Sequence, residues 1–496
     1  MTLETSLTAR EAAVLAPVPK RLFIGGEWVD AEAGKTIDVL DPATGHVLAS
    51  VADASVADGV RALDAAASAQ ADWAATPARV RSDILHRTFD LLQQHKEEFS
   101  LLMTLEMGKP LAEARGEVAY GGEFLRWFAE EAVRVSGSYG NNPEGTGTMI
   151  VTRRPVGPVY LITPWNFPLA MATRKLAPAL AAGCTAVIKP ANPTPLTTLA
   201  LVGLLQEAGL PAGVVNVITT TATAQLSEAL LSDRRLRKVS FTGSTPVGVA
   251  LLKQAADNVL RTSMELGGNA PFIVFDDADL DKAVEGALLA KFRNIGQACT
   301  AANRFIVQDG VADGFAQRLT ERVQTLKVGR GTEENVVIGP LIDGKAVANT
   351  KRLVDDAVDK GAVLLTGGSP MEGVGSFFQP TVLDDVRDGM AIKAEEIFAP
   401  VVSIIRFSDE AEAVRIANDS EYGLVGYVYT EDFRRGQRMI DQIDTGMMGL
   451  NVGVVSNAAA PFGGVKQSGI GREGGAEGIH EYLETKYTLT PSPYAA

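Results

Sequence analysis

The chain has 496 residues, 46% of them hydrophobic, which is enough for large cores and for about three domains. Its net charge of −14 disfavours phosphate backbones and anionic lipid surfaces, so we expect no nucleic acid and no membrane as partners. Two cysteines cannot form a disulfide framework, and this favours a reducing, cytoplasmic location.

The N-terminal segment and the scarce metal ligands exclude further classes. The first twenty residues carry Glu4 and Glu11 and lack a basic start followed by an apolar core, so they fit neither a signal peptide nor a transit peptide. We predict a partly ordered tail there. The four histidines are scattered and the cysteines lack metal-ligand spacing, so no metal site is predicted, although a carboxylate-only Mg²⁺ site stays open.

The first third of the chain alternates between strands and helices. Short strands with turns are predicted over residues 20–52. From about 55 to 135, apolar residues recur at helical spacing, and Gly108 and Pro110 interrupt the pattern. Residues 55–135 are therefore predicted to form long helices after a strand-rich start.

From about residue 150, short apolar runs such as "PVGPVYLITP", "CTAVIKP" and "RKVSFTG" are separated by helical stretches. This rhythm predicts a doubly wound parallel sheet of the nucleotide-binding kind. It resumes with "APFIVFDDADLDKAVEGALLAKF" and predicts a second α/β domain over 265–450. Two isolated strands, near 148–154 and 484–490, could pair with each other or with another subunit.

Two segments could hold a phosphate or a ribose. Gly243 and Ser244 lie at a strand-to-helix turn, where free N–H groups attract a phosphate, although the spacing matches neither a P-loop nor GxGxxG. A tight turn without a ligand explains them equally well. Lys189 ends an apolar strand, at the edge where such sheets bind ligands. It could bond a ribose or simply be a solvated strand end.

The segment "FRNIGQACTAANR" places Cys299 among small and polar residues, outside any apolar run. A reactive thiol needs a base, and Glu265 before Leu-Gly-Gly could serve, unless it is a surface acid. Asn166, between two prolines in "TPWNFP", could donate to an oxyanion or bond its own backbone. Cys184 enters an apolar strand and is predicted to be inert core.

Taken together, "PWNFP", "FTGSTPVG", "ELGGNAP", "GQACTAANR", "EEIFAP" and "PFGGVKQSGIGREGG" resemble the aldehyde dehydrogenase superfamily, in its order and across nearly the whole chain. The resemblance is closest to its bacterial members that oxidise succinic semialdehyde. It implies two doubly wound parallel-sheet domains and a small β oligomerisation arm. The implied bounds are 1–135 and 153–264 for the dinucleotide-binding domain, 265–450 for the catalytic domain, and 136–152 with 475–496 for the arm.

The resemblance also implies the catalytic roles. Cys299 would attack the aldehyde to form a thiohemiacetal, and Asn166 with the Cys299 N–H would hold the oxyanion. After hydride transfer, Glu265 would activate the water that hydrolyses the thioester. A dimer or a dimer of dimers is implied for the assembly.

The implied cofactor is a nicotinamide dinucleotide. Because Asn192 is neutral, and an acid there would repel a 2′-phosphate, we predict that NADP is accepted or preferred, with NAD use open. The residues matching cofactor contacts are Trp165, Asn166, Lys189, Pro190, Ala191, Asn192, Gly243, Ser244, Leu266, Glu396 and Phe398.

The implied substrate is a small semialdehyde with a distal carboxylate. Arg174, Arg293 and Ser456 match the residues that bind this carboxylate, although either arginine could instead form a structural ion pair. One methylene changes discrimination by about 1–3 kcal/mol, so glutarate semialdehyde or other aldehydes remain alternatives. A CoA-acylating enzyme, or a non-catalytic binding protein that retains the fold, is a more distant alternative.

Overall fold

A short helix lies in the segment predicted as a partly ordered tail. In the computed structural model, which describes residues 7–493, Thr8 caps helix α1 (Ala9–Leu15) through reciprocal bonds with Glu11. The prediction of a tail missed this helix; the part of the tail before residue 7 lies outside the described residues. Glu11 is buried and pairs with Arg330 at 2.9 Å, which fixes the helix to the body of the protein.

The strands and helices predicted up to residue 135 are confirmed. Ser55 and Asp58 form a capping box at the start of the first long helix, and Gly108 ends another with a φ of 93°. The elements are β1 (Leu22–Ile24), β2 (Glu27–Val29), β3 (Thr36–Leu40), β4 (Val47–Ala52), α2 (Val56–Ala75), α3 (Ala78–Gln94), α4 (Lys96–Met107) and α5 (Leu111–Ala132).

A doubly wound sheet follows. Two strands of another sheet come first in the chain, β5 (Ser138–Asn141) and β6 (Gly147–Pro155). The elements of the doubly wound sheet are β7 (Val159–Ile162), α6 (Pro168–Ala182), β8 (Ala186–Lys189), α7 (Leu196–Glu207), β9 (Val215–Val217), α8 (Thr223–Leu231), β10 (Lys238–Thr242), α9 (Thr245–Ala256) and β11 (Arg261–Glu265). Strands β9, β8, β7, β10 and β11 are parallel in that order, and β1 and β2 add an antiparallel edge.

A second parallel sheet begins directly after the first. Its order is β14-β15-β16-β13-β12-β18-β19, with only the edge strand β14 antiparallel. Its region contains β12 (Ala270–Val274), α10 (Leu280–Phe292), a 3₁₀ turn (Arg293–Gly296), β13 (Ala302–Gln308), α11 (Asp309–Gln324), α12 (Gly344–Asp359), β14 (Val363–Thr366), β15 (Thr381–Asp384), α13 (Ala391–Ala394), β16 (Val401–Phe407), α14 (Glu410–Asn418), β17 (Tyr422–Gly423), β18 (Val425–Tyr429), α15 (Phe433–Gln442) and β19 (Met447–Leu450).

The last segment returns to the first sheet and then forms an arm. It contains β20 (Val465–Lys466), β21 (Gly469–Ile470), α16 (Glu477–His480) and β22 (Leu483–Pro491). Strand β21 pairs with β11, while β22 pairs with β6 along its whole length in a three-stranded sheet with β5. Of the two alternatives for the isolated strands, the structure shows that they pair with each other. The predicted α/β fold with two parallel sheets and a β arm is confirmed.

The end of the first sheet lies beside the start of the second. Strand β11 ends at Glu265, and β12 begins only a few residues later at Ala270, so the carboxyl edge of the first sheet lies next to the amino edge of the second. Residues just before β13 and β16 therefore contact residues just after β7 and β11. Among residues 7–493, no helix is long and apolar enough to cross a membrane.

Candidate active site

Cys299 lies in a loop that is strained before it reaches the thiol. Asn294 and Ile295 have φ values of 53° and 64°, and Gly296 follows with 72°. Such backbone persists only where the surroundings impose it, and it is common at functional sites. The half-buried Cys299 borders a narrow cavity that is also lined by Tyr120, Phe167, Met171, Arg174, Arg293, Thr300, Ser456 and Phe462.

The two cysteines differ in their surroundings. Burial raises the pKa of Cys299 to about 12, and the positive charge of Arg174 opposes this shift. Its thiol is therefore protonated at neutral pH and needs a base before it can attack. Cys184 is fully buried, lies 3.4 Å from the main-chain oxygen of Tyr482, and has a pKa raised by burial to about 11.

Asn166 is fixed against the cysteine loop from two directions. Its Nδ2 donates to the main-chain oxygen of Gln297 at 3.0 Å. Its own main-chain oxygen accepts from Asn294 Nδ2 at 3.0 Å and from Lys109 Nζ at 2.8 Å. Because an amide nitrogen carries two hydrogens, a second N–H of Asn166 stays available for a ligand.

Glu265 is buried rather than a surface acid. It ends β11 with 2% of its surface exposed, and its Oε2 has no hydrogen-bond partner among the described residues. Burial and the nearby Glu473 raise the pKa of Glu265 well above its usual value, against the attraction of Arg174 and Lys175. A raised pKa makes a carboxylate a stronger base than an ordinary exposed one, as general-base catalysis requires.

Glu473 belongs to the site although sequence reasoning missed it. Arg174 and Lys175 both form ion pairs with it, and all three side chains are buried. Burial alone would raise the pKa of Glu473, but these two cations hold it below its usual value. The sequence offered one signal for Glu473: it is an acid within the glycine-rich segment "GREGG".

Two glycines bring Glu396 and Cys299 against the Glu265 segment. A Cβ atom on Gly268 would stand 2.5 Å from the main-chain oxygen of Cys299, and one on Gly267 would stand 2.9 Å from Glu396 Oε2. The Gly268 N–H donates to Glu396 Oε1 at 3.0 Å. Burial raises the pKa of Glu396 to about 7. Glu396 also lines a cleft of about 1140 Å³.

The turn before α9 fits a phosphate group. The Ser244 side chain makes no capping bond, so it does not occupy the N–H groups at the start of α9. A Cβ on Gly243 would stand 2.5 Å from the Phe241 ring, and a Cβ on Gly248 would stand 2.4 Å from Leu266. A side chain at either position would require its neighbour to move, and Leu266 packs directly against Gly248 in the first turn of α9.

The end of β8 presents a second set of polar groups. Lys189 is 4% exposed, and burial lowers its pKa to about 8. Its Nζ donates to the main-chain oxygen of Pro190 at 3.1 Å and to no other residue among 7–493. Ala191 and Asn192 are half-buried, and Asn192 Oδ1 has no hydrogen-bond partner in the structure. An amine and an amide without strong protein partners are well suited to ribose hydroxyls.

Trp165 and Phe398 border the same region with their rings. The ring centroids are 5.5 Å apart in an edge-to-face arrangement. Phe398 holds a φ of 51°, which a bulky residue rarely adopts. This backbone directs the ring towards the turn between β7 and α6, so the two aromatic residues predicted for the cofactor do lie together.

The three residues matched to the substrate carboxylate all line the Cys299 cavity. Arg293 Nη1 lies 3.5 Å from Ser456 Oγ, and its guanidinium stands 5.3 Å from the centre of the Phe167 ring. Arg293 forms no ion pair with any described carboxylate. Arg174 is 1% exposed and does form one, with Glu473, so its charge is partly compensated within the protein.

Known proteins are similar to this chain over nearly its whole length. The sequence pattern of the aldehyde dehydrogenase family matches residues 28–488. Succinate-semialdehyde dehydrogenase of Paenarthrobacter nicotinovorans is 59% identical over 90% of this chain and 100% of its own length. Glutarate-semialdehyde dehydrogenase of Pseudomonas putida is 50% identical over 94% of this chain and 97% of its own. A solved structure described as an E. coli NADP dependent enzyme superposes with a TM-score of 0.95 at 48% identity, covering 98% of this chain and 100% of that one.

Both the family pattern and the full-length relatives cover the buried acid, the glycine turn and the loop that carries the thiol. The resemblance drawn from the sequence motifs is thereby confirmed. The chain belongs to the aldehyde dehydrogenase family and is an NAD(P)-dependent aldehyde-oxidising enzyme.

Proposed function

We propose that this enzyme oxidises succinic semialdehyde to succinate. The observation that carries the proposal is the unpaired guanidinium of Arg293 beside Ser456, in the same cavity as the Cys299 thiol. A substrate with an aldehyde at one end and a carboxylate at the other can reach both. Two relatives named for acid semialdehydes, of four and five carbons, support the same substrate class.

The thiol is assigned as the nucleophile. Cys299 first gives its proton to solvent water in the cavity. The thiolate sulfur then bonds to the aldehyde carbon, and the carbonyl oxygen becomes the oxyanion of the thiohemiacetal. The free N–H of Asn166 and the main-chain N–H of Cys299 donate to this oxygen, and such donors act more strongly in a dry site than in water. Asn166 is 3% exposed and already aligned with the Cys299 loop.

Glu265 is assigned as the base of the second half of the reaction. After oxidation the acyl group is held as a thioester on Cys299, and water must attack its carbonyl carbon. The buried carboxylate takes a proton from this water as the new C–O bond forms and the C–S bond breaks. A thioester permits this at neutral pH because the thiolate is a good leaving group.

The turn before α9 and the end of β8 are assigned to the dinucleotide. The Gly243–Ser244 turn would hold its phosphates, Lys189 to Asn192 its adenosine ribose, and Glu396 its nicotinamide ribose, while Trp165, Leu266 and Phe398 would pack against it. When bound, its nicotinamide ring supplies the hydride acceptor of the reaction. The carboxylate of Glu396 is kept in place for this role by the Gly268 N–H.

Arg293 is assigned as the main carboxylate contact and Arg174 as the second. The Arg293 charge has no partner among the described acids, whereas Arg174 shares its charge with Glu473. A planar guanidinium can bond a carboxylate through two N–H groups, and Ser456 adds a hydroxyl. Arg174 also lines the cavity and would add positive potential to it.

Replacing Arg293 by methionine should therefore remove selectivity rather than chemistry. We expect kcat/KM for succinic and glutaric semialdehydes to fall about 10- to 100-fold, which corresponds to one lost charged hydrogen-bonding partner. The value for butanal should change by less than about threefold, since butanal carries no charge to bind. Steady-state kinetics with the three aldehydes at saturating NADP measure both effects.

Arg415→Met is the matched control, because Arg415 is exposed and pairs only with its helix neighbour Glu412. It should leave all three values unchanged. If wild-type enzyme used butanal as well as succinic semialdehyde, Arg293 would be structural and the substrate proposal would be wrong. A stronger preference for glutaric semialdehyde would instead favour the five-carbon substrate.

We also propose that NADP is preferred to NAD. Asn192 carries no charge and has a free Oδ1, so nothing at this position repels a 2′-phosphate. The structural relative described as NADP dependent supports the same choice.

Asn192→Glu should reverse this preference. A carboxylate can accept from a free 2′-hydroxyl but repels a 2′-phosphate, so we expect the NADP-to-NAD ratio of kcat/KM to fall by at least about tenfold, or 1.4 kcal/mol. Asn192→Gln, which keeps the amide, is the control and should retain the wild-type ratio. Strict NAD use by the unmodified enzyme would refute the cofactor proposal.

We propose that the protein acts in the cytoplasm as a homodimer or homotetramer. Both cysteines are free, as a reducing compartment requires. The arm formed by β5, β6 and β22 exposes Tyr139, Tyr487 and Leu489 at 79%, 56% and 52% of their surfaces. An exposed sheet edge with apolar side chains suits pairing with another subunit.

A further inference from the structure

A buried ion pair stands beside the site without bordering the reacting atoms. Lys109 and Glu117 are 0% and 1% exposed, and Lys109 Nζ pairs with Glu117 Oε2. Neither residue lines the Cys299 cavity. Removing two charges from water costs several kcal/mol per ion, and further hydrogen bonds are needed to offset this cost. Such a pair is therefore explained best by a role that hydrophobic residues could not fill.

The pair connects α4 and α5 to the first residues of α6. Glu117 Oε1 accepts from the main-chain N–H groups of Leu169 and Ala170 at 2.9 and 3.1 Å. These are orphan donors of a helix that has no side-chain cap. Lys109 lies 4.3 Å from the centre of the Phe167 ring, just before that helix. One acid and one base thus fix the turn that carries Asn166.

The decisive bond is the one from Lys109 to the Asn166 main chain. Lys109 Nζ donates to the Asn166 oxygen at 2.8 Å, and Asn294 Nδ2 donates to the same oxygen at 3.0 Å. Asn294 also donates to the Gln297 oxygen at 2.9 Å, which the Asn166 side chain reaches as well. The carbonyl of Asn166 is thus held between the helical layer and the cysteine loop, and this sets the direction of its amide.

We propose that Lys109 is a positioning residue that aligns Asn166 with the oxygen of the Cys299 thiohemiacetal through its bond to the Asn166 main chain. The inference rests on the proposed oxyanion role of Asn166. Lys109 touches neither substrate nor cofactor; it acts through the main-chain oxygen of Asn166.

A double-mutant cycle tests this. The variant Lys109→Met/Glu117→Gln removes the donor to Asn166 yet keeps a neutral acceptor for the start of α6. Glu117→Gln alone is the matched control, because it leaves Lys109 free to donate to Asn166. Both are made with and without Asn166→Ala, and thermal unfolding confirms that each protein is folded. The readouts are kcat, KM for succinic semialdehyde, and the pre-steady-state rate of nucleotide reduction.

Asn166→Ala should lower kcat about 10²- to 10³-fold, as for other lost oxyanion donors. The pair variant should lower kcat and the reduction rate about 10- to 100-fold, with KM within about threefold, because misplacement by ~1 Å has effects of this size. The control should stay within about threefold of wild type. In the Asn166→Ala background the pair variant should cost less than about threefold, because coupled residues are not additive.

Each contrary result has its own meaning. If Asn166→Ala has no effect, the oxyanion role fails and the inference fails with it. If the losses multiply, or if Glu117→Gln loses as much as the pair variant, the oxyanion role stands and the inference about Lys109 is overturned. Should the pair variant not fold, Lys109→Gln repeats the cycle, since its amide can serve Glu117 but is too short to bond Asn166 as well.

Discussion

Cys299→Ala is expected to abolish oxidation, lowering kcat by at least about 10⁴-fold, as removal of a nucleophile does in other covalent enzymes. No other described thiol can replace it. Cys184 is 0% exposed, and burial raises its pKa to about 11. Steady-state and single-turnover reduction of NADP with succinic semialdehyde measure the loss, while nucleotide binding to the variant should persist because the dinucleotide residues are untouched.

Alkylation of the thiol gives an independent check. Since burial raises the pKa of Cys299 to about 12, the nucleotide-free protein holds a protonated thiol, and its thiolate fraction grows with pH. Modification by iodoacetamide should therefore accelerate by about tenfold per pH unit from neutral pH upwards. Cys184→Ala is the control and should retain both alkylation and activity. Fast, pH-independent alkylation would contradict a buried, protonated nucleophile, and an active Cys299→Ala variant would refute the mechanism.

Much of the site could be predicted because it follows local rules. Lys189 and the Gly243 turn each come at the end of a strand with apolar residues, and parallel strands present these ends at one edge. Glu265 was instead found from its place before Leu-Gly-Gly. Helix α1 was missed although "TARE" carries the S/T-x-x-E capping pattern; seven residues are too few for a clear helical period.

Several buried polar contacts of the site could not be predicted, because each of them joins two residues that lie far apart in the chain. Lys175 bonds Glu473 across 298 positions, and Lys109 reaches Asn166 across 57. A buried charge looks in sequence like a surface charge until its partner is known. For the same reason Arg174 and Arg293 looked equivalent, whereas the structure gives a carboxylate partner to Arg174 alone of the two.

Glu265→Gln should separate the two halves of the reaction. An amide cannot accept the proton of the attacking water, so we expect kcat to fall about 10²- to 10⁴-fold, the usual contribution of a general base. Thiol attack and hydride transfer can still occur once. The variant should therefore give a burst of about one reduced nucleotide per active site and then stall, leaving a succinyl thioester on Cys299. Stopped-flow absorbance measures the burst, and intact-protein mass spectrometry after acid quench identifies the adduct.

The absence of a burst in a folded Glu265→Gln variant that binds NADP would place Glu265 in the first half of the reaction instead, as the base for the thiol. The pH profile distinguishes the roles further. A base works deprotonated, and the pKa of Glu265 is raised by burial and by Glu473. Deacylation by the wild-type enzyme should therefore be lost as the pH falls through this raised pKa, at a higher pH than an ordinary carboxylate would show.

Glu473→Gln then serves as the comparison within the same cluster. It removes the negative charge that raises the pKa of Glu265 and leaves the positive charges of Arg174 and Lys175, which lower it. The acid limb of deacylation should move to lower pH in this variant, whereas in Glu265→Gln the limb should disappear. The acid limb of the deacylation profile could instead stay at the same pH in Glu473→Gln and persist in Glu265→Gln. In that case another residue would be the titrating group, and Glu265 would not be the hydrolytic base.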